Sequence, residues 1–234
     1  MAIEAGTSTY YQAKRGIVQD GLVLNLDAGV KESYSGGTVW NDLTGRSTIT
    51  NLSSTNMDAS SWSSDYGGIF TFDGTNDFID FYTPDIASSS VITVEFIAFI
   101  KESYNIMVFG FQTYDFYLVS NRFGYNTGQS DIWGYSPVSL VYNQWIHCTC
   151  EMRSDVAATN NKIYLNSQQL TLSQQQGSTT TRGFNSGYGR ISSWKNSLNY
   201  VINMDLSIFR IYNRQLSADE VSRNYNSTRH RFGL

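Results

Sequence analysis

The side chains able to do chemistry are few, and their spacing narrows what they can do. Two histidines, His147 and His230, are the available imidazole bases. No Gly-x-Ser-x-Gly elbow presents a serine nucleophile. His147 and Cys148 are neighbours in a strand-like stretch, so their side chains point to opposite faces and form no thiol–imidazole pair. Cys148 and Cys150 share a face roughly 6 to 7 Å apart, beyond easy bridging, and read as reduced buried thiols. A Cys-x-Cys with no partner pair is also no zinc site. Asp73, Asn76 and Asp77 form a compact, oxygen-rich cluster of the kind that takes Ca²⁺. The same residues serve equally as turn formers bonding their own backbone, and that plainer role is the one expected, with no cofactor. Tyr125, Trp133, Tyr135, Tyr188 and Trp194 lie in segments rich in Gly, Ser and Asn, where rings can stack on a sugar.

Composition sets the frame for these residues. In 234 residues, 16 basic and 20 acidic side chains give a formal charge of -4, which excludes a strongly basic nucleic-acid binder. Aromatic residues make up 15% of the chain, too many for a disordered one. Polarity is carried by Ser, Thr, Asn, Gln and Gly rather than by ions, as in a β-protein with many turns. No apolar run approaches the ~18 residues of a membrane span, and the N-terminus has no apolar signal core, so no membrane insertion is expected.

Alternation of apolar and polar residues marks the strands that must position any site. Leu22, Leu24 and Leu26 open the first. Segments 68–72 and 78–81 flank Asp73-Gly74, a strand–turn–strand signal. Strands follow at 91–101, 104–111, 114–120, 145–153 and 162–170, and residues 204–212 form the last. Ser217 with Glu220 three residues on is a capping box that starts one short helix ending near Asn226. The pattern predicts an all-β, antiparallel two-sheet sandwich over residues 20–226 with one short C-terminal helix. Residues 1–19 read as an extended arm and 227–234 as a C-terminal tail.

Four segments together resemble the concanavalin A-like, laminin-G-like jelly-roll superfamily. They are Gly68-Ile69-Phe70-Thr71-Phe72-Asp73-Gly74-Thr75-Asn76-Asp77-Phe78-Ile79, Trp145-Ile146-His147-Cys148-Thr149, Lys162-Ile163-Tyr164-Leu165-Asn166 and the closing strand from Leu206 to Ser217. The third departs from the family pattern in carrying Ser167 where Gly usually follows. The resemblance implies a jelly roll of two sheets packed face to face. Narrower matches at Gly21–Ala28, Ser33–Gly36, Trp40–Gly45 and Asn224–Leu234 resemble jelly-roll proteins of tailed bacteriophages.

That resemblance implies a non-enzymatic virion protein, a capsid decoration, cement or head-fibre protein assembled in the host cytoplasm. Its partners would be the major capsid protein, other virion proteins or further copies of itself. Tyr10, Tyr11, Lys14 and Arg15 in the arm, and Arg229, Arg231 and Phe232 in the tail, are the expected attachment residues. The alternative is a lectin-like adhesin that binds host surface glycans through the five loop aromatics. Relatives that cleave β-glucans use a Glu-x-Asp-x-x-Glu strand; here Glu95 stands alone, with Ile97 and Ile100 in the partner places. Glu95 is therefore expected to be an edge or sheet-face polar residue whose change to Gln leaves function intact. Relatives that bind Ca²⁺ do so at a loop rim, which keeps the Asp73 cluster in view.

Overall fold

The computed structural model describes residues 16–50, 52, 57, 61–101, 104–128 and 130–234. Two antiparallel eight-stranded sheets face each other across a common core. The first runs β13 (Gln168–Gln169), β12 (Lys162–Leu165), β11 (Trp145–Arg153), β6 (Val91–Ile100), β16 (Asn203–Tyr212), β4 (Ile69–Asp73) and β3 (Trp62–Ser63). β1 (Leu22–Asp27) pairs with the far half of β16, which β4 leaves open. Where β16 passes from one neighbour to the other, its register slips at Ser207, whose hydroxyl donates to Gly68 O at 2.7 Å. Gly68 has no substitute here, because a Cβ would stand 2.1 Å from the Ala28 carbonyl oxygen and φ is +138°.

The second sheet runs β14 (Ser173–Gln176), β10 (Ile132–Tyr135), β9 (Arg122–Asn126), β8 (Asp115–Val119), β7 (Ile106–Gly110), β15 (Tyr188–Ile191), β5 (Ile79–Tyr82) and β2 (Thr48–Ile49). The two segments flanking Asp73-Gly74 are strands, but they are not a hairpin. β4 belongs to the first sheet and β5 to the second, so the intervening turn crosses the sandwich. Asp77 shapes that crossing by accepting the Asp73 N–H at 2.8 Å. The expected hairpins β7–β8 and β11–β12 are both present.

Period-two alternation sends Ile92, Val94, Phe96, Ala98 and Ile100 of β6 into the core between the sheets. Thr93, Glu95, Ile97 and Phe99 then face outward, yet this outer face is not open to water. The C-terminal helix (Ala218–Thr228) and the chain either side of it cover it. Val221 and Leu216 pack with Ile17, Val18, Leu22, Tyr164 and Tyr212, while Phe232 packs with Ile69, Ile97, Trp145 and Ile208. Residues 17 and 18, assigned to the arm on sequence, are thus in the domain's own packing, at 1% and 4% exposure. The helix starts at the expected capping box, with Ser217 Oγ accepting from Glu220 N, and runs to Thr228 rather than Asn226.

Between these two apolar clusters lies a polar network centred on Glu95, which is fully buried. Arg210, directly opposite it in register, donates Nη1 to Glu95 Oε1 at 2.6 Å and Nε to Asn25 Oδ1 at 3.0 Å. Asn224 of the helix donates Nδ2 to Glu95 Oε2 at 2.7 Å and to Tyr212 Oη at 2.9 Å, and its Oδ1 accepts from Val18 N at 2.8 Å. His147 is fully buried as expected, but its ring nitrogens make no close hydrogen bond to a described residue; Nε2 lies 3.6 Å from Glu95 Oε2, near enough for its charge to act there. Glu95 is therefore no dispensable sheet-face residue, as its isolation in the sequence suggested. Burial alone would raise its pKa, but His147, Arg210 and Asn224 outweigh burial and hold it at about 2.

Because that folded value lies below the ~4.3 of an unfolded glutamate, the stabilisation is present above about pH 4 and is lost as pH falls toward 2. Thermal unfolding followed by circular dichroism should show the midpoint falling through that window. Changing Glu95 to Gln leaves the Arg210 charge buried without its counter-charge and is expected to cost about 3 to 5 kcal/mol at neutral pH. An unchanged midpoint would contradict this role.

Candidate functional site

With the first sheet's outer face covered, the outer face of the second sheet is where side chains meet solvent as a surface. On β8, Phe116 and Leu118 enter the core, which turns Asp115, Tyr117 and Val119 outward. Tyr117 and Val119 join Met107 and Ile132 in a small apolar cluster, with Trp194 and Tyr200 packed against it. The segment 194–200 carries these last two rings and is held at several points. Met107 N donates to Tyr200 O at 2.8 Å, and Trp194 Nε1 and Asn196 Nδ2 both donate to Gln112 O, at 3.1 and 3.0 Å. Arg190 of β15 supports the segment from below, donating Nη1 to the Trp194 and Ser197 carbonyls. Its other nitrogens grip Asp80, at 2.6 and 3.0 Å, with Lys195 3.2 Å from the same carboxylate.

These elements enclose a pocket of about 170 Å³ whose wall includes Asp115, Tyr117, Asn126, Gln112, Trp194 and Tyr200. That is room for roughly five or six waters at ~30 Å³ each, hence for one ring or head group. Asp115 is only 2% exposed, and its Oδ1 is sealed from water with no hydrogen bond to any described residue. The carboxyl fits because its partner across the ladder is Gly110, where a Cβ would stand 2.1 Å from Oδ1. Burial, with the Asp131 carboxylate adding repulsion, pushes the Asp115 pKa well above the usual range. Asp131 is differently placed: its oxygens accept from Thr127 N, Thr127 Oγ1 and Asn126 Nδ2. Burial raises the Tyr117 phenol to about 12, so it stays protonated.

The residues singled out on sequence fall in several places. Trp194 is in the pocket. Tyr188 is on the second sheet, exposed and stacked on Tyr82 with centroids 4.4 Å apart. Trp133 and Tyr135 are half-buried and pack against the inter-sheet core from β10. Tyr125 is corrected outright: it is fully buried, with Oη donating to Lys162 O at 2.5 Å, because β9 turns it inward. Tyr10, Tyr11, Lys14 and Arg15 lie outside the described residues. The C-terminal residues are not a free tail. Arg231 donates Nη1 to both oxygens of buried Asp27, at 2.8 and 2.9 Å, Phe232 packs 4.8 Å from Trp145, and Arg229 donates to Leu234 O at 2.9 Å. Asp73 spends Oδ1 on the Thr75 and Asn76 N–H groups, and Asp77 spends Oδ2 on Asp73 N, so both shape the turn. Among the described residues no three His, Cys, Asp or Glu side chains come together as a metal site. Sequence reading missed Asp115, Tyr117 and Tyr200; the lone acid at 115 in an otherwise aromatic and apolar strand was the available signal.

No family model matches this chain, and no curated protein matches its sequence. Solved structures of the same fold do exist. The sialidase of Trypanosoma rangeli in complex with sialic acid aligns over 97% of this chain with a TM-score of 0.62 and 12% identity. The receptor-binding domain of botulinum neurotoxin type G aligns over 88% with a TM-score of 0.58 and 14% identity, and the binding domain of Paraclostridial Mosquitocidal Protein 1 over 88% with a TM-score of 0.61 and 14% identity. The chain spans 39% of the sialidase and about half, 51% and 52%, of the two toxin domains. At such identities the likeness is one of fold, an antiparallel two-sheet β-sandwich.

Asp115 yields a stability test of the site. Its folded pKa is raised, so stability is intact below about pH 4 and is lost as pH rises toward the folded value, while the unfolded chain ionises freely. Asp115→Asn removes that loss. The variant should match the parent in melting temperature near pH 3 and exceed it increasingly toward pH 8, in line with the ~1 to 3 kcal/mol attached to a buried unsatisfied group. A variant less stable at every pH would mean that Asp115 is a structural residue.

Proposed function

We propose that this protein is a lectin-like binding module that holds a surface glycan, without turning it over, in the Asp115–Trp194 pocket of the second sheet. The observation that carries the reading is the Asp115 carboxyl, which lines a pocket with Trp194, Tyr117 and Tyr200 while its buried Oδ1 has no hydrogen bond to any described residue. A fold keeps an unsatisfied buried acceptor at a stability cost, and ligand binding is the ordinary return on it. Rings beside carboxyl and amide groups suit a sugar, which presents C–H faces to the rings and hydroxyls to the polar groups. The likeness to a sialidase and to toxin binding domains supplies a fold compatible with this role, and the pocket's lining supports it.

The carboxyl groups near the pocket support a reading of binding without hydrolysis. Asp131, the second acid near Asp115, has its oxygens engaged by Thr127 and Asn126, leaving it poorly placed as a nucleophile or base. Glu95 is beneath the C-terminal helix, away from substrate. Attachment to a virion through the C-terminal residues draws no support from Arg231 and Phe232, which are occupied within their own domain.

A glycan array followed by calorimetry on the best binder tests the reading. Trp194→Ala and Asp115→Asn are each expected to weaken binding about tenfold or more, the scale of one strong polar contact. Arg229→Ala should leave affinity unchanged, and no reducing sugar should be released. A folded protein that binds nothing on the array refutes the proposal.

A further inference from the structure

The charges on the pocket wall distinguish among sugar classes. Asp115 is an acid with an unpartnered, buried oxygen, and Asp131 lies close enough to raise its pKa further. No Lys, Arg or His is among the described residues that line the cavity. The cations around it are committed elsewhere. Arg190 and Lys195 share Asp80, and Arg190 also serves the Trp194 and Ser197 carbonyls. Arg182 donates Nε to Thr127 O at 2.7 Å and Nη1 to Thr181 O at 3.1 Å, and its charge already faces Asp131. The wall also carries three rings beside its neutral polar groups, with Tyr117 and Tyr200 in an edge-on pair 5.4 Å apart and Trp194 pinned to Gln112 O. Ring faces carry negative potential, so these side chains add to the acids rather than oppose them.

We infer that the pocket takes a ligand bearing an ammonium group, and hence that its glycan carries an amino sugar with a free amine; the sugar half of this inference rests on the glycan reading above. Each alternative leaves something unmet. A sialic or uronic acid would bring a carboxylate against a buried carboxyl with no cation to balance the pair. A neutral hexose would donate a hydroxyl to Asp115 but leave the acid desolvated and the Asp131 repulsion in place. An ammonium supplies N–H donors for the Asp115 carboxyl and a positive charge that favours its ionised form and suits the ring faces beside it. A volume of about 170 Å³ admits one such group with the ring that carries it.

The full chain is titrated by calorimetry with β-linked glucosamine oligomers, their N-acetylated counterparts, sialyllactose and ethanolamine hydrochloride. Free-amine oligomers are expected to bind at least tenfold tighter than acetylated ones, more weakly as salt rises, and not detectably to Asp115→Asn. Trp194→Leu, which leaves the acid in place, should lose binding as well and serves if the first variant fails to fold. Acetylated or sialylated oligomers binding as tightly as the free amine would overturn the ammonium inference and leave the glycan reading standing. Ethanolamine binding that depends on Asp115, with every oligomer silent, would support the ammonium site and overturn the glycan reading. Silence toward all four overturns both.

Discussion

The Glu95–Arg210 pair, two charges with 0% and 1% exposure joined at 2.6 Å, is the constraint on which the rest of the architecture turns. Removing both charges from water is costly, and their mutual attraction offsets that only if every remaining lone pair and proton finds a partner. Asn25 supplies one from β1, and Asn224 supplies another from the helix while also fixing Tyr212 and the Val18 backbone. One charged pair therefore sets the register of β6 against β16 and the seat of the helix, and it draws the chain before β1 onto the same face. A half-satisfied version of this network would be worse than an apolar patch, so the helix must dock for the sheet to be stable.

That docking has a functional consequence. A sandwich has two outer faces, and here one is consumed by covering a buried charge. The side chains free to meet a ligand are left on the second sheet, where consecutive hairpins from β7 to β10 bring Met107, Asp115, Tyr117 and Asn126 together from chain neighbours. The two buried acids show how environment divides one chemistry into two roles. Glu95, ringed by donors and a guanidinium, is ionised and structural; Asp115, beside another acid and a glycine, has an oxygen to offer.

Much of the fold was legible because period-two alternation and turn residues report sheet faces directly. The capping box at Ser217 and Glu220 and the hairpins at 104–120 and 145–165 follow from local chemistry alone. The Asp73-Gly74 signal misled for a physical reason: a tight-turn dipeptide reports a reversal of the chain, not which sheet the next strand joins. Glu95 was visible as the single charge in its strand, but Arg210 shares its strand with Asp205, and nothing in the sequence marked the two as partners. What periodicity cannot give is that a helix more than a hundred residues downstream closes that face and makes the pair a buried one. The aromatic candidates show the same limit. Tyr125 and Trp194 sit in similar Gly- and Ser-rich contexts, but a strand turns one ring inward and a loop lays the other on the surface.

The pocket itself joins short-range and long-range order, and this bears on how it would bind. Its floor is a hairpin, but its aromatic wall arrives from residues 194–200, some 80 positions later, as the Trp194–Gln112 bond records. That segment is tied by backbone bonds to Met107, by two donors to the Gln112 carbonyl and by Arg190, itself stacked 4.0 Å over Phe78 and paired with Asp80. With so many ties the rings are in place before any ligand arrives, and little ordering entropy is left for binding to overcome. A small site of one ring or head group needs that advantage, since it offers few contacts in which to recover such a cost. The ion cluster at Asp80, Arg190 and Lys195 then acts as a brace outside the pocket, holding its two cations on Asp80 rather than beside Asp115.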